Sequence, residues 1–215
     1  MTPPGKSTPT PAQTGPEAAV GYELTPDDRI QSVTGAWVRF ATRNGAGDAL
    51  QPQAIVGRSI WEFISDGTTR ELYRRLFGRV RAQGRSADIQ LRCDAPDERR
   101  LLLMHVRPRP EGALAIEIDT VDRRGRTLRH VDPLAFAFGP VLRMCGWCNR
   151  VADPTGRWME LEDALLQLGL LERGALPPIT HGICPECERA MTAFIDDFSA
   201  GGPGSVTLNV LEAGH

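Results

Sequence analysis

Two short stretches constrain this chain most: Met144-Cys145-Gly146-Trp147-Cys148 and Thr180-His181-Gly182-Ile183-Cys184-Pro185-Glu186-Cys187. Together they read C-x2-C-x35-C-x2-C and take four of the five cysteines. A C-x-x-C pair at a tight turn aims both sulfurs at one point, and two such pairs supply the four thiolates of a closed tetrahedral metal site. Zinc suits four soft ligands with no open position, and iron is the alternative. Cys145, Cys148, Cys184 and Cys187 are therefore the predicted ligands. His181 is expected behind the thiolates, since four sulfurs already complete the site. Two disulfides are the competing reading, disfavoured because nothing in the chain looks secreted. A thioredoxin-like role for Cys145 and Cys148 requires a βαβ setting that the sequence does not present.

The rest of the chain has to fold around that constraint. It has 215 residues, 41% hydrophobic and 24% charged, enough for one domain and a small module. A formal net charge of -2 gives no bulk attraction to nucleic acid or an anionic membrane. No apolar run approaches a membrane-spanning length, and the N-terminus lacks an apolar signal region, so a cytoplasmic location is expected. Residues 1–20 hold Pro3, Pro4, Pro9, Pro11 and Pro16 and read as a disordered tail.

From residue 21 the pattern becomes globular. Tyr22-Glu23-Leu24 and Arg29 to Thr34 read as a hairpin turning at Asp27-Asp28. Gly35 to Ala41 reads as a short helix, ended by Asn44 to Gly47. A longer helix runs from Thr68 or Thr69 to Gln83. Leu72, Leu76 and Val80 line one side of it, with Tyr73 and Phe77 beside them. Its arginines, Arg70, Arg74, Arg75, Arg79 and Arg81, read as a solvated face in preference to a nucleic-acid surface.

Three strands follow. Ala87, Ile89, Leu91 and Cys93 alternate with polar residues. Leu101 to Val106 is apolar on both faces, and Leu114, Ile116 and Ile118 alternate up to Val121. Short turns make an antiparallel meander. The two-sided strand sets Leu102, Met104 and Val106 against the helices. The Leu101 and Leu103 side then needs a cover: an N-terminal segment, the metal module or a second copy of the chain.

This element order, with Val56-Gly57-Arg58-Ser59-Ile60-Trp61-Glu62-Phe63-Ile64 before the long helix, resembles a PAS domain over residues 21–121. The resemblance implies an α+β fold, a five-stranded antiparallel sheet with flanking helices, used for sensing or for homodimerisation through the sheet. The C-terminal part is similar to a CxWC…HGICPxC module found at the ends of bacterial signalling proteins. Here that module is carried by Cys145-Gly146-Trp147-Cys148-Asn149-Arg150, by Gly156 to Glu162 and by Thr180 to Cys187. Together the resemblances imply a non-catalytic regulatory protein whose zinc module binds a protein partner. The alternatives are a thiol-based redox or metal sensor and a nucleic-acid-binding regulator.

The expected organisation is a tail over 1–20, a PAS-like domain over 21–121, a linker over 122–140, the four-cysteine module over 141–198 and a flexible tail over 199–215. Phe136 and Phe138 in the linker are candidates to dock on either domain. In the module, Met159 to Leu168 and Glu188 to Phe194 read as helices, and Arg143, Arg150 and Arg157 as counter-charges for a four-thiolate ion. Haem is disfavoured: His105 and Cys93 are its candidate axial ligands, and both read as ordinary sheet residues. Flavin chemistry lacks its Asn-Cys-Arg-type motif. No Ser-His-Asp order, phosphate-cradling loop or H-E-x-x-H points to an enzyme.

Overall fold

The computed structural model describes residues 19–43, 47–94, 98–125, 141–168, 177–198 and 205–209. Expectations for residues 1–18, for the turn at 44–46, for the linker beyond residue 125 including Phe136 and Phe138, and for 199–204 and 210–215 lie outside them.

The fold is α+β. β1 (Val20–Leu24) and β2 (Ile30–Val33) pair antiparallel, with Tyr22 opposite Val33. The turn between them bends at Asp28, whose φ of 61° lies in the left-handed region that Asp tolerates better than most residues. α1 (Gly35–Arg43), the one-turn α2 (Pro52–Ile55) and a 3-10 turn at Ile60–Glu62 lead to α3 (Gly67–Gln83). α3 starts where the Asp66 carboxylate accepts the Thr69 N–H at 2.8 Å. It stops at Gly84, which takes φ +62° at the C-terminus. Leu72, Leu76, Phe77 and Val80 are its buried face, as their spacing predicts.

β3 (Ala87–Arg92), β4 (Glu98–Pro108) and β5 (Leu114–Gly125) form the meander. β5 closes on β1 with Tyr22 opposite Ile116. Leu102, Met104 and Val106 are buried, whereas Leu101, Leu103 and His105 are half-buried. The sheet has one strand more than expected. β10 (Val206–Asn209) lies in the stretch read as a flexible tail, yet it pairs parallel with β3, Val206 opposite Ala87. The sheet is therefore six-stranded and mixed, in the order β10-β3-β4-β5-β1-β2. Four residues are too short to announce a strand; β10 exists because the outer edge of β3 offers unpaired backbone groups.

The C-terminal third builds a second sheet from β6 (Leu142–Cys145), β7 (Val151–Ala152), β8 (Trp158–Met159) and β9 (Ile179–Gly182), in the order β8-β7-β6-β9. α4 (Leu161–Gln167) and α5 (Pro185–Asp197) complete it. α5 begins three residues before the predicted helix, because Pro185 takes the first helical position and Cys184 caps it.

One continuous apolar cluster runs from Leu24, Leu72, Leu76 and Ile116 through Trp147 and the four cysteines to Met191, Phe194 and Phe198. The sheet-and-helix unit and the cysteine unit thus share a core. Trp147 meets Tyr73 of α3 edge-on, ring centroids 5.5 Å apart. Among the described residues no helix is long and apolar enough to cross a membrane.

Candidate metal centre

β6 and β9 bring the two pairs of cysteines together. They run parallel, with Cys145 opposite Gly182 and Gly146 N–H donating to the Gly182 carbonyl at 2.9 Å. Cys145 ends β6, and Cys184 follows β9 by two residues. The chain reverses after Cys145: Asn149 N–H donates to the Cys145 carbonyl at 3.0 Å and Cys145 N–H to the Arg150 carbonyl at 2.8 Å. Asn149 holds φ at 62°, the left-handed geometry that closes this turn. On the other side, Cys184 sulfur accepts the Cys187 N–H at 3.4 Å at the head of α5.

The four Sγ atoms all lie within 4.8 Å of one another, and Cys148 and Cys184 are 3.7 Å apart. Thiolates around zinc at about 2.3 Å define a tetrahedron with edges of roughly 3.8 Å, so the cluster fits the ion. All four side chains are buried, 0 to 6% exposed. Every cysteine, Cys93 included, is a free thiol. Sulfurs this close share their protons: hydrogen bonds from Cys148 and its neighbours hold Cys145 far below the thiol range. The hydrogen bond to Cys145 pushes Cys187 well above it. A metal ion resolves that competition by taking all four as thiolates.

Neither a comparison with protein-family models nor one with curated proteins returns a match. The site is therefore read from its own geometry.

Of the three arginines expected to offset its charge, Arg150 does so. Its guanidinium donates to Glu160 at 2.8 Å and is held above its ordinary value, with a contribution from Cys148 and Cys184. Arg143 instead lies over the Trp158 ring at 5.5 Å and crosses Gly182, where a Cβ would stand 2.7 Å from its Nε. For Arg157 the hydrogen bond to Asp153, at 3.0 Å, is made by the backbone N–H and not by the guanidinium. His181 does not back the thiolates: it is exposed on β9 and, among the described residues, hydrogen-bonds no cysteine. Ile179, Thr180 and His181 of β9 are all exposed, on both faces of the strand.

Two residues that the sequence reading left unassigned anchor the site. Asn149 is buried; in the amide orientation that satisfies both its neighbours, its nitrogen donates to the Arg92 carbonyl and its oxygen accepts the Asp94 N–H, both at 3.0 Å. Arg92 N–H donates to the Trp147 carbonyl at 2.7 Å. The cysteine turn thereby continues the hydrogen bonding of β3 past the end of β10. The Arg92 side chain, 2% exposed, reaches Asp94 at 2.6 Å and Glu162 of α4 at 2.7 Å. Burial opposes its charge, and the hydrogen bonds it donates to Asp94 and Glu162 outweigh that and hold it above its ordinary value. The only sequence signal for Asn149 was its type, an αL-tolerant residue directly after a C-x-x-C turn.

The haem candidates lie elsewhere. His105 sits with Nδ1 2.7 Å from Asp88 and Nε2 3.2 Å from Asp119, so neither ring nitrogen is aimed into the core. Cys93 is half-buried beyond β3, and burial raises its thiol. Four of the α3 arginines are engaged within the protein: Arg70 with the Ile64 carbonyl, Arg81 with Asp28 at 2.7 Å, Arg75 with Asp196 at 2.7 Å and Arg74 over Trp61 at 4.7 Å, while Arg79 is exposed.

Proposed function

We propose that this chain is a non-catalytic regulatory protein of the bacterial signalling type. A PAS-like unit senses or dimerises, and a structural zinc module presents a surface to a protein partner. The observation that carries this reading is the shared core, in which Trp147 beside Cys148 packs on Tyr73 of α3. A change in the sheet-and-helix unit has a direct mechanical route to the module. The five contiguous antiparallel strands and the helices between β2 and β3 support the PAS-like part. The half-buried Leu101 and Leu103 row supports dimerisation through the sheet. On the module, Leu166 is 73% exposed and Ile179 42%, apolar side chains suited to a partner.

Burial of all four sulfurs favours a closed structural zinc site over a thiol sensor, whose reactive sulfur needs access. Engagement of Arg70, Arg74, Arg75 and Arg81 within the protein favours a protein partner over nucleic acid. A cytoplasmic setting, where thiols stay reduced, fits five free cysteines.

The test is in-cell photo-crosslinking from positions 166 and 179, beside elemental analysis of the purified protein. One zinc per chain and a discrete adduct that Cys184→Ser abolishes are expected. No adduct, or one indifferent to that substitution, overturns the partner reading. Iron in the analysis replaces zinc, and release of zinc by mild peroxide returns the sensor. A monomer at micromolar concentration in light scattering removes the dimer.

A further inference from the structure

The four-cysteine unit builds only a small core of its own, Val151, Met159 and Ala164 with Leu142, Met144, Leu161 and Leu168 against them. Its sheet has strands of two to four residues and its helices seven and thirteen. Trp147, the four cysteines and Met191, Phe194 and Phe198 of α5 are instead buried in the cluster shared with α3 and the first sheet. One attachment, beside the packing of α5 on α3, is the turn from Cys145 to Asn149. That turn provides the Trp147 carbonyl to the Arg92 N–H, the Asn149 amide to Arg92 and Asp94, and the Trp147 ring to Tyr73. Other ties are separate from the turn: α5 packs on α3, and Arg75 reaches Asp196, Arg85 the Phe198 carbonyl, Arg143 Asp66, and Arg92 Glu160 and Glu162.

The same five residues hold two of the four metal ligands. The shape that converges Cys145 and Cys148 on an ion is the shape that puts Trp147 and Asn149 against β3. Metal ligation and attachment are then two readouts of one backbone conformation. Linkage makes the coupling reciprocal: metal strengthens the attachment by the factor with which the attachment strengthens metal binding.

We propose that the metal state of Cys145, Cys148, Cys184 and Cys187 governs a latch, made by Trp147 and Asn149, that fastens the C-terminal unit to the end of β3 and to α3. Loaded, the two units move as one body; stripped, the latch opens and the end of β3 loses its cover. This regulation rests on the zinc reading above and adds to it a specific consequence at residues distant from the sulfurs in sequence.

Amide exchange on the full chain, zinc-loaded against chelator-treated, tests it. The amides of Arg92 and Asp94, both donors into the turn, should exchange at least about tenfold faster after zinc removal. Those of Leu103 to Val106 and Ile116 to Ile118, inside the meander, should keep their protection. Unchanged exchange at Arg92 and Asp94 after complete removal overturns the latch. So does a loss spread evenly through β4 and β5, which would mark general unfolding. Asn149→Gly keeps the left-handed backbone and deletes the amide. It should speed the same two amides with zinc still bound and weaken zinc about tenfold in a chelator competition. Zinc affinity equal to wild type in Asn149→Gly overturns the reciprocity. A chain that binds no metal overturns both readings, and elemental analysis reports that before any exchange is measured.

Discussion

The guanidinium of Arg92 meets the carboxylate of Glu162 at 2.7 Å, joining the last residue of β3 to the first turn of α4. Arg92 also holds Asp94, whose side chain is 4% exposed. The two partners should respond very differently to mutation. Arg92→Leu takes the charged partner from the buried Asp94 carboxylate, which keeps the Arg100 N–H at 3.2 Å, and should cost about 3 kcal/mol. Glu162→Gln affects a side chain 48% exposed and should cost no more than about 1 kcal/mol. Chemical denaturation of the two variants measures the contrast, and equal losses would mean that the cluster is held by α4 instead of by Asp94.

Cys184 is both a sulfur of the cluster and the N-cap of α5. Cys184→Ser should reduce metal affinity by more than the ~10–100-fold typical of a residue that merely supports a ligand. Cys93→Ser, outside the cluster, should leave stoichiometry and affinity unchanged. Elemental analysis and chelator competition on both variants give the answer.

Asp88 accepts hydrogen bonds from Ser205, next to β10, and from Arg107, and lies against His105. Burial pushes its carboxyl up, but these bonds outweigh burial and hold it below the usual carboxylate range. A depressed native pKa contributes stability that is complete above the unfolded value of ~3.9 and is lost as pH falls through the native value. Asp88→Asn should therefore be less stable than wild type at pH 7, with the gap closing below about pH 4. Denaturation at the two pH values tests this; both chains share the metal site, so acid release of metal cancels in the comparison.

Gly21 lies in β1 opposite Glu117, and a Cβ there would stand 2.6 Å from the Ile116 carbonyl oxygen. Backbone cannot swing aside as a flexible side chain does. Gly21→Ala should shift β1 off β5 at a cost of about 1–3 kcal/mol. Gly78→Ala, on an open stretch of α3, should instead be neutral or stabilising by up to about 1 kcal/mol. Thermal unfolding of the pair separates the two outcomes.

Features written locally were legible in the residues. The α3 stripe of Leu72, Leu76 and Val80, the alternation of Leu102, Met104 and Val106, and the hairpin at Asp28 appear where periodicity and turn chemistry put them. The doubled C-x-x-C was legible too, because converging four thiolates is a property of spacing within each pair. His181 shows where that logic ended: proximity in sequence to Cys184 did not bring its side chain to the sulfurs, because β9 turns it to solvent.

β10 had no sequence signal, since four residues become a strand only when an edge such as that of β3 is there to pair with. Arg92 read as a polar residue in an alternating strand. It is buried because the cysteine turn and α4, more than fifty residues later, close over it. The residues by themselves determined which sulfurs would meet and which faces of helix and strand would be apolar, because both follow from neighbours a few positions apart. Only the tertiary structure decided that the four-cysteine unit and the first sheet would share one core and meet at Asn149 and Arg92. That choice depends on backbone groups left unpaired at the end of β3, which side-chain sequence does not record.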